Sequence, residues 1–323
     1  MEQLICLLRL SEEYKARLLE ITKGRCNVEF TWPRQERYRE LLESATILLG
    51  DPTADDLRYC GKLKLMQTAW AGVTQYVNSS CFSNGAILCN MSGGYGAYMS
   101  EYAVGMVLAI CRRFPDYVLQ QRSCEWHMSR YSKPLEDATL LILGAGDIGT
   151  EVAKRMRPLV KRIVGVRRVA RAVPPEYDEM KTLTEIDSLL AQADLVVAAL
   201  PDTAATRGLL DERRLRLMKP DAVLVNVGRG SLIVESDLAK VMQEGHLFGV
   251  GLDVTTIEPL PEESPLWSQD RLLLTPHVSG NDFPPDSLEQ QRIWNICLEN
   301  IENYLLGRPL RNVVDFDTGY RKL

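Results

Sequence analysis

The feature that most constrains this chain is the break of an apolar run, Leu140-Leu-Ile-Leu143, into Gly144-Ala-Gly-Asp-Ile-Gly149. The glycines stand at the G-x-G-x-x-G spacing of a dinucleotide-binding turn, and each has a physical task. Gly144 permits a tight strand-to-helix turn, Gly146 lets backbone approach a pyrophosphate, and Gly149 lets helix and strand pack closely. The helix that follows would present unpaired N–H groups and its positive dipole end, so the backbone of Gly146, Asp147 and Ile148 would face phosphate. Spacing alone is a weak signal. The flanks strengthen it, because a strand-like run precedes the turn and 147–157 reads as a helix ending before Pro158.

At 323 residues, with 46% apolar and 25% charged residues, the chain has material for about two soluble domains. A net charge of −5 argues against a nucleic-acid or anionic-membrane partner. Neither a signal peptide nor a membrane-length apolar run is read from the sequence. The eight cysteines form no C-x-x-C pair, and only His127, His246 and His277 could join them. Buried, reduced thiols in a cytoplasmic protein are expected, and no metal.

Short apolar runs alternate with helical stretches in both halves. The first half offers strands at 4–10, 28–32, 46–49, 63–69 and 86–89, with helices at 12–21, 33–42 and 54–60. One long helix is expected over 98–121. The second half offers six strands, at 140–143, 162–166, 195–200, 222–227, 248–254 and 272–275, then a last helix over 286–306. The expected fold is α/β: a doubly wound Rossmann-type parallel sheet at 98–285, inserted in a smaller flavodoxin-like α/β substrate domain made of 1–97 and 286–323. Two crossovers would form a hinge.

The second strand of such a sheet ends about 20 residues after the glycines, where an acid selects NAD and an arginine accommodates a 2′-phosphate. Arg167 and Arg168 stand there, with Arg171 close by. NADP(H) is therefore the expected cofactor, NAD(H) remaining possible. Three further strands end in chemistry-bearing residues: Arg229 between two glycines, Asp253 followed by Glu258, and His277 after Thr275-Pro276. Ligands of open α/β sheets bind at the carboxyl ends of strands, so these side chains could converge.

Gln67-Thr-Ala-Trp-Ala-Gly-Val73, Ser100-Glu-Tyr-Ala103, the glycine turn, Asn226-Val-Gly-Arg-Gly230, Glu258-Pro-Leu-Pro261 and Thr275-Pro-His277 follow one another in a specific order. In these segments the chain resembles the D-isomer-specific 2-hydroxyacid dehydrogenases, and within them the glyoxylate/hydroxypyruvate reductases. The resemblance implies that His277 gives a proton to a carbonyl oxygen as hydride arrives, a task suited to an imidazole that titrates near working pH. It implies that Glu258 orients that imidazole and that Arg229 grips the substrate carboxylate. Backbone N–H groups of Trp70, Ala71 and Gly72 would hold the carboxylate too. Asp253 would accept the nicotinamide carboxamide, while Leu200, Pro201, Thr206 and Val227 would line the cofactor.

A small 2-oxoacid or 2-hydroxyacid substrate and a homodimer are implied in the same way, with Trp126 either reaching a partner's site or packing in the interface. Thr74 stands where the family usually has an acid and Thr255 where it has an aromatic, which leaves the particular acid open. The alternatives are a nucleotide-sensing binding protein of the co-repressor type and a 3-phosphoglycerate dehydrogenase-like enzyme.

Overall fold

The computed structural model of the chain describes residues 1–129, 131–169, 172–281 and 283–322, so Arg171 lies outside it. The chain divides into two compact units, Met1–Tyr95 with Phe283–Leu323, and Gly96–Asp282.

The first unit begins with β1 (Glu2–Cys6), α1 (Glu12–Thr22), β2 (Cys26–Phe30), α2 (Tyr38–Ser44), β3 (Ile47–Leu49), β4 (Leu65–Gln67) and β5 (Ile87–Cys89). The strands pair in parallel in the order β2-β1-β3-β4-β5, the flavodoxin-like order. Every residue of β3 and β4 is buried, which explains why these runs are apolar without alternation. Two expected helices shrink. The stretch at 33–42 becomes helical only from Tyr38, since Arg34 has φ 75°, outside the right-handed helical region. The stretch at 54–60 keeps a single 3-10 turn, Asp56–Tyr59.

The second unit opens with α3 (Gly96–Cys111) and α4 (Phe114–Arg122) in place of one long helix. Pro115 explains the break. It has no N–H to donate and its ring would clash with the Cys111 carbonyl, so Arg113 turns left-handed at φ 62° and Pro115 sits in a first turn, where it is tolerated.

Then follow β6 (Thr139–Leu143), α5 (Asp147–Met156), β7 (Arg162–Val166), β8 (Glu179–Lys181), α6 (Ile186–Leu190), β9 (Leu195–Ala198), α7 (Glu212–Leu217), β10 (Val223–Asn226), α8 (Glu235–Gln243), β11 (Gly249–Leu252) and β12 (Leu272–Leu274). All seven strands are parallel, in the order β12-β11-β10-β9-β6-β7-β8. Six strands were expected. The seventh, β8, reads Glu-Met-Lys on the sheet edge, and a half-exposed three-residue edge strand has no apolar run to announce it.

Leu140 and Ile142 of β6 enter one core with Ile163, Val197 and Val225, while Leu141 and Leu143 enter another with Val164, Val196 and Leu224. Alternate residues of each strand thus feed opposite faces, so the central strands must be apolar throughout. Helix α5 buries Gly149, Val152, Ala153 and Met156 and carries Asp147 in its first turn and Lys154 and Arg155 in its last, as its dipole favours.

The chain returns to the first unit through α9 (Leu288–Leu305), whose start is capped by Ser287 accepting from the Gln290 N–H, and ends in the hairpin β13 (Val314–Asp315) and β14 (Tyr320–Arg321). Buried Asn300 of α9 donates to the Gln67 side chain at 2.6 Å, tying the helix to the end of β4. All eight cysteines are free, and Cys6, Cys60, Cys81, Cys89, Cys111 and Cys297 are buried. No helix among the described residues is long and apolar enough to cross a membrane.

Candidate active site

The turn after β6 is shaped by contacts that only glycine allows. Gly144 has φ 101°, and a Cβ there would lie 2.6 Å from the Ala199 carbonyl oxygen. A Cβ on Gly149 would lie 2.2 Å from the Gly144 carbonyl oxygen, so strand end and helix start touch backbone to backbone. Gly146 differs: a Cβ there would meet nothing within 4 Å, and no side chain caps α5 in front of it. Open space before an uncapped helix N-terminus fits a pyrophosphate. The turn also sits at the switch point between β6 and β9, where dinucleotides bind in this strand order. The carboxylate of Asp147 packs against Gly96 at the start of α3, where a Cβ would clash with it at 2.6 Å.

The two arginines after β7 are placed differently. Arg167 is half-buried and donates through Nε to the Ala145 carbonyl, inside the glycine turn, whereas Arg168 is exposed. Beyond β9, the end of β10 comes so close that a Cβ on Gly228 would lie 2.8 Å from both the backbone N and O of Leu200. Val227 is buried in the core beneath, and Thr206, also buried, closes its own turn by donating to the Pro201 carbonyl at 2.6 Å.

At the carboxyl ends of β10, β11 and β12 the unit gathers Arg229, Asp253, Glu258 and His277. Buried Asn226 shapes the arginine turn: its amide donates to the Arg229 carbonyl at 2.9 Å and accepts from the Gly228 N–H at 3.0 Å. Gly230 then presses on the loop after β11, where a Cβ would lie 2.0 Å from the Thr255 carbonyl carbon. In that loop the Thr255 N–H donates to Glu258 Oε1 at 3.0 Å, and Glu258 Oε2 meets His277 Nδ1 at 2.7 Å. The glutamate is therefore held at both oxygens. The pair is more than one-third exposed on each side, so its worth lies in orientation more than in stability. With Nδ1 engaged, Nε2 is the ring nitrogen that could act on a ligand.

In the first unit, the turn Thr68–Gly72 has the carbonyls of its three middle residues occupied. Tyr95 donates to the Ala69 carbonyl at 2.7 Å, the Met91 N–H to that of Trp70 at 3.0 Å, and Asn90 to that of Ala71 at 2.8 Å. The Trp70 N–H donates to Thr68 Oγ1 at 3.0 Å, within the turn itself. Behind the turn stands Asp51, which accepts from the Thr68 hydroxyl and from the Ala69 N–H at 3.1 Å.

Sequence reasoning misses both Asp51 and Asn90; an acid two residues past the buried strand β3 is the one signal for the first. Burial pushes the Asp51 carboxyl up to about 6, against the opposite pull of its hydrogen bonds with Thr68, Ala69 and Trp70. The folded chain thus holds this proton more tightly than the unfolded one, and ionising Asp51 costs stability. That cost is full above pH 6 and gone below about pH 4. Asp51→Asn is therefore expected to gain in Tm relative to the parent above pH 6 and to lose that gain towards pH 4. A Tm difference that does not vary with pH would refute this.

A doubly wound unit with a glycine turn at its switch point defines a dinucleotide-binding α/β protein. Residues 104–279, more than half of the chain, match the family model described as D-isomer specific 2-hydroxyacid dehydrogenase, NAD binding domain. The chain belongs to the D-isomer specific 2-hydroxyacid dehydrogenases, NAD(P)-dependent oxidoreductases of 2-hydroxyacids. Among solved structures it is similar to a family member from Aeromonas salmonicida, with 34% identity, 98% of this chain and 99% of that one covered, and a TM-score of 0.84. It is also similar to the NADPH-dependent glyoxylate/hydroxypyruvate reductase of Sinorhizobium meliloti in complex with NADP and sulfate, at 25% identity, 99% and 100% coverage and TM-score 0.82. A family member from Xanthobacter autotrophicus in complex with NADPH and MES matches at 25% identity, 99% coverage of both chains and TM-score 0.82.

Proposed function

We propose that this protein reduces a small 2-oxoacid such as glyoxylate or hydroxypyruvate to the D-2-hydroxyacid, with NADPH preferred over NADH. In this reading 98–285 is the dinucleotide-binding domain, and 1–97 with 286–323 the substrate domain. The observation that carries the chemistry is the His277 Nδ1–Glu258 Oε2 contact of 2.7 Å at the carboxyl ends of the strands.

The nicotinamide, when bound, supplies the hydride. Arg229 grips the substrate carboxylate and polarises the carbonyl. Of the turn Trp70–Gly72, the N–H groups of Ala71 and Gly72 would also bind carboxylate, since that of Trp70 is engaged by Thr68 Oγ1. His277, oriented by Glu258, holds a proton on Nε2 and gives it to the carbonyl oxygen. Gly144, Gly146, Asp147, Ile148 and Gly149 would hold the pyrophosphate by backbone, Leu200, Pro201, Thr206 and Val227 would line the cofactor, and Asp253 would accept its carboxamide.

For the 2′-phosphate the exposed Arg168 is the gripping residue, and Arg167 shapes the turn through Ala145. A homodimer is proposed through α4 and the segment after it, where Phe114, Val118, Leu119, Trp126, Met128 and Tyr131 expose apolar side chains.

The deciding experiment offers the purified protein NADPH or NADH with a panel of 2-oxoacids and follows absorbance. Faster turnover of glyoxylate or hydroxypyruvate with NADPH is expected. Tight nucleotide binding without turnover of any acid would overturn the reading and favour a nucleotide sensor. Arg168→Asp is expected to move cofactor preference towards NADH by about tenfold or more, the worth of one charge-assisted hydrogen bond. An unchanged NADPH/NADH ratio would remove Arg168 from this role.

A further inference from the structure

His277 is the one histidine with a left-handed backbone, at φ 55°, and a non-glycine residue stays there only if its surroundings hold it. The hold comes from Asp253. This aspartate is 1% exposed, and hydrogen bonds from a single short loop reach it. Its Oδ1 accepts from the Thr275 hydroxyl at 2.7 Å and from the Val278 N–H at 3.0 Å, and its Oδ2 accepts from the Ser279 N–H at 3.0 Å. Its own carbonyl accepts from the His277 N–H at 2.8 Å. The donors bracket His277 on both sides, so the loop cannot relax at 277 without breaking charge-assisted bonds in a buried place. Of these donors only Thr275 uses a side chain, and so only Thr275 can be removed without disturbing the backbone.

We infer that Thr275 is a positioning residue for the reaction: its hydroxyl fixes the Asp253 carboxylate as a clamp that sets the backbone of His277 and aims the imidazole at Glu258. The threonine thus acts through two other residues and touches no reacting atom. The same bonds place two donors on Oδ1 and one on Oδ2, which leaves Oδ2 the oxygen with capacity to accept a further donor such as a carboxamide N–H. The kinetic part of the inference rests on His277 being the proton donor proposed above; the geometric part does not.

The test is Thr275→Val, nearly the same shape without the hydroxyl, beside Thr275→Ser, which restores it. In the full chain without cofactor, the downfield proton resonance of the His277 Nδ1–H to Glu258 bond is expected to weaken or vanish in T275V and to return in T275S. In turnover assays kcat is expected to fall about tenfold in T275V, the loss from one hydrogen bond to a carboxylate, with KM for the oxoacid little changed and kcat recovered in T275S. A parental resonance and parental kcat in T275V would overturn the inference, as would a T275S chain no better than T275V. Asp253→Asn is the second variant should T275V fail to fold, and a folded D253N chain that keeps the resonance overturns it as well. Loss of the resonance without loss of kcat would support the clamp and count against His277 as the proton donor, so the two failures can be told apart.

Discussion

Replacing His277 with alanine is expected to lower kcat by about 10²–10⁴-fold, the usual contribution of a positioned proton donor, while NADPH affinity stays near that of the parent. The expectation follows from where the ring is held. Its Nδ1 is committed to Glu258, so the proposed proton transfer would use Nε2, and neither of the other two histidines is placed beside Glu258. His127 pairs with Glu125 at 3.0 Å on the exposed surface, and Nε2 of the half-buried His246 lies 2.9 Å from the Met218 carbonyl. Stopped-flow reduction of a saturating 2-oxoacid, with a separate fluorescence titration of NADPH, separates the two effects. A kcat within a few-fold of the parent would show that the proton comes from elsewhere.

Replacing Arg229 with alanine is expected to cost about 10²–10³-fold in kcat, the range seen when a single donor to a developing oxyanion is removed, and to raise KM for the oxoacid as well. Both constants should move because one guanidinium would serve two ends of the substrate, pairing with the carboxylate already in the ground state and with the carbonyl oxygen as charge develops. Arg229→Lys should recover part of KM and little of kcat, since an ammonium keeps the charge without the planar fork. Steady-state kinetics on both variants checks this. A rise in KM with kcat unchanged would restrict Arg229 to binding the carboxylate. Asn226 braces the arginine turn by bonding the Arg229 carbonyl and the Gly228 N–H, and the Arg229 guanidinium adds a bond of its own to the Gly228 carbonyl at 2.7 Å, so the fold of each variant is checked by circular dichroism beside the kinetics.

Much of the fold is legible in the residues. The runs at 140–143, 163–166 and 195–198 are apolar without alternation because each strand feeds a core on both faces, and that pattern is local. The glycine turn is legible for a related reason. Backbone contacts of 2.2 to 2.8 Å from a would-be Cβ exclude every other residue type at Gly144, Gly149 and Gly228. What escapes is equally specific. Edge strand β8 is short and polar, and the break at Arg113 needed more weight on Pro115 than on the apolar periodicity of 98–121. In the site, Arg229, Glu258 and His277 stand out as ionisable residues after strands. Asp51, Asn90, Asn226 and Thr275 do not, since their partners lie between 2 and 22 residues away and their roles depend on which oxygen faces which donor.

The sequence by itself thus determined the two α/β sheets, the glycine turn and the membership of this family, because periodicity, steric exclusion and motif order are properties of neighbouring residues. Tertiary structure alone decided that Arg167 braces the turn while Arg168 is exposed, that Glu258 is held at both oxygens, and that Asp253 clamps the loop carrying His277. Those outcomes turn on hydrogen-bond distances between strand ends, which close only when the sheet has assembled and brought residues far apart in the chain within 3 Å of one another.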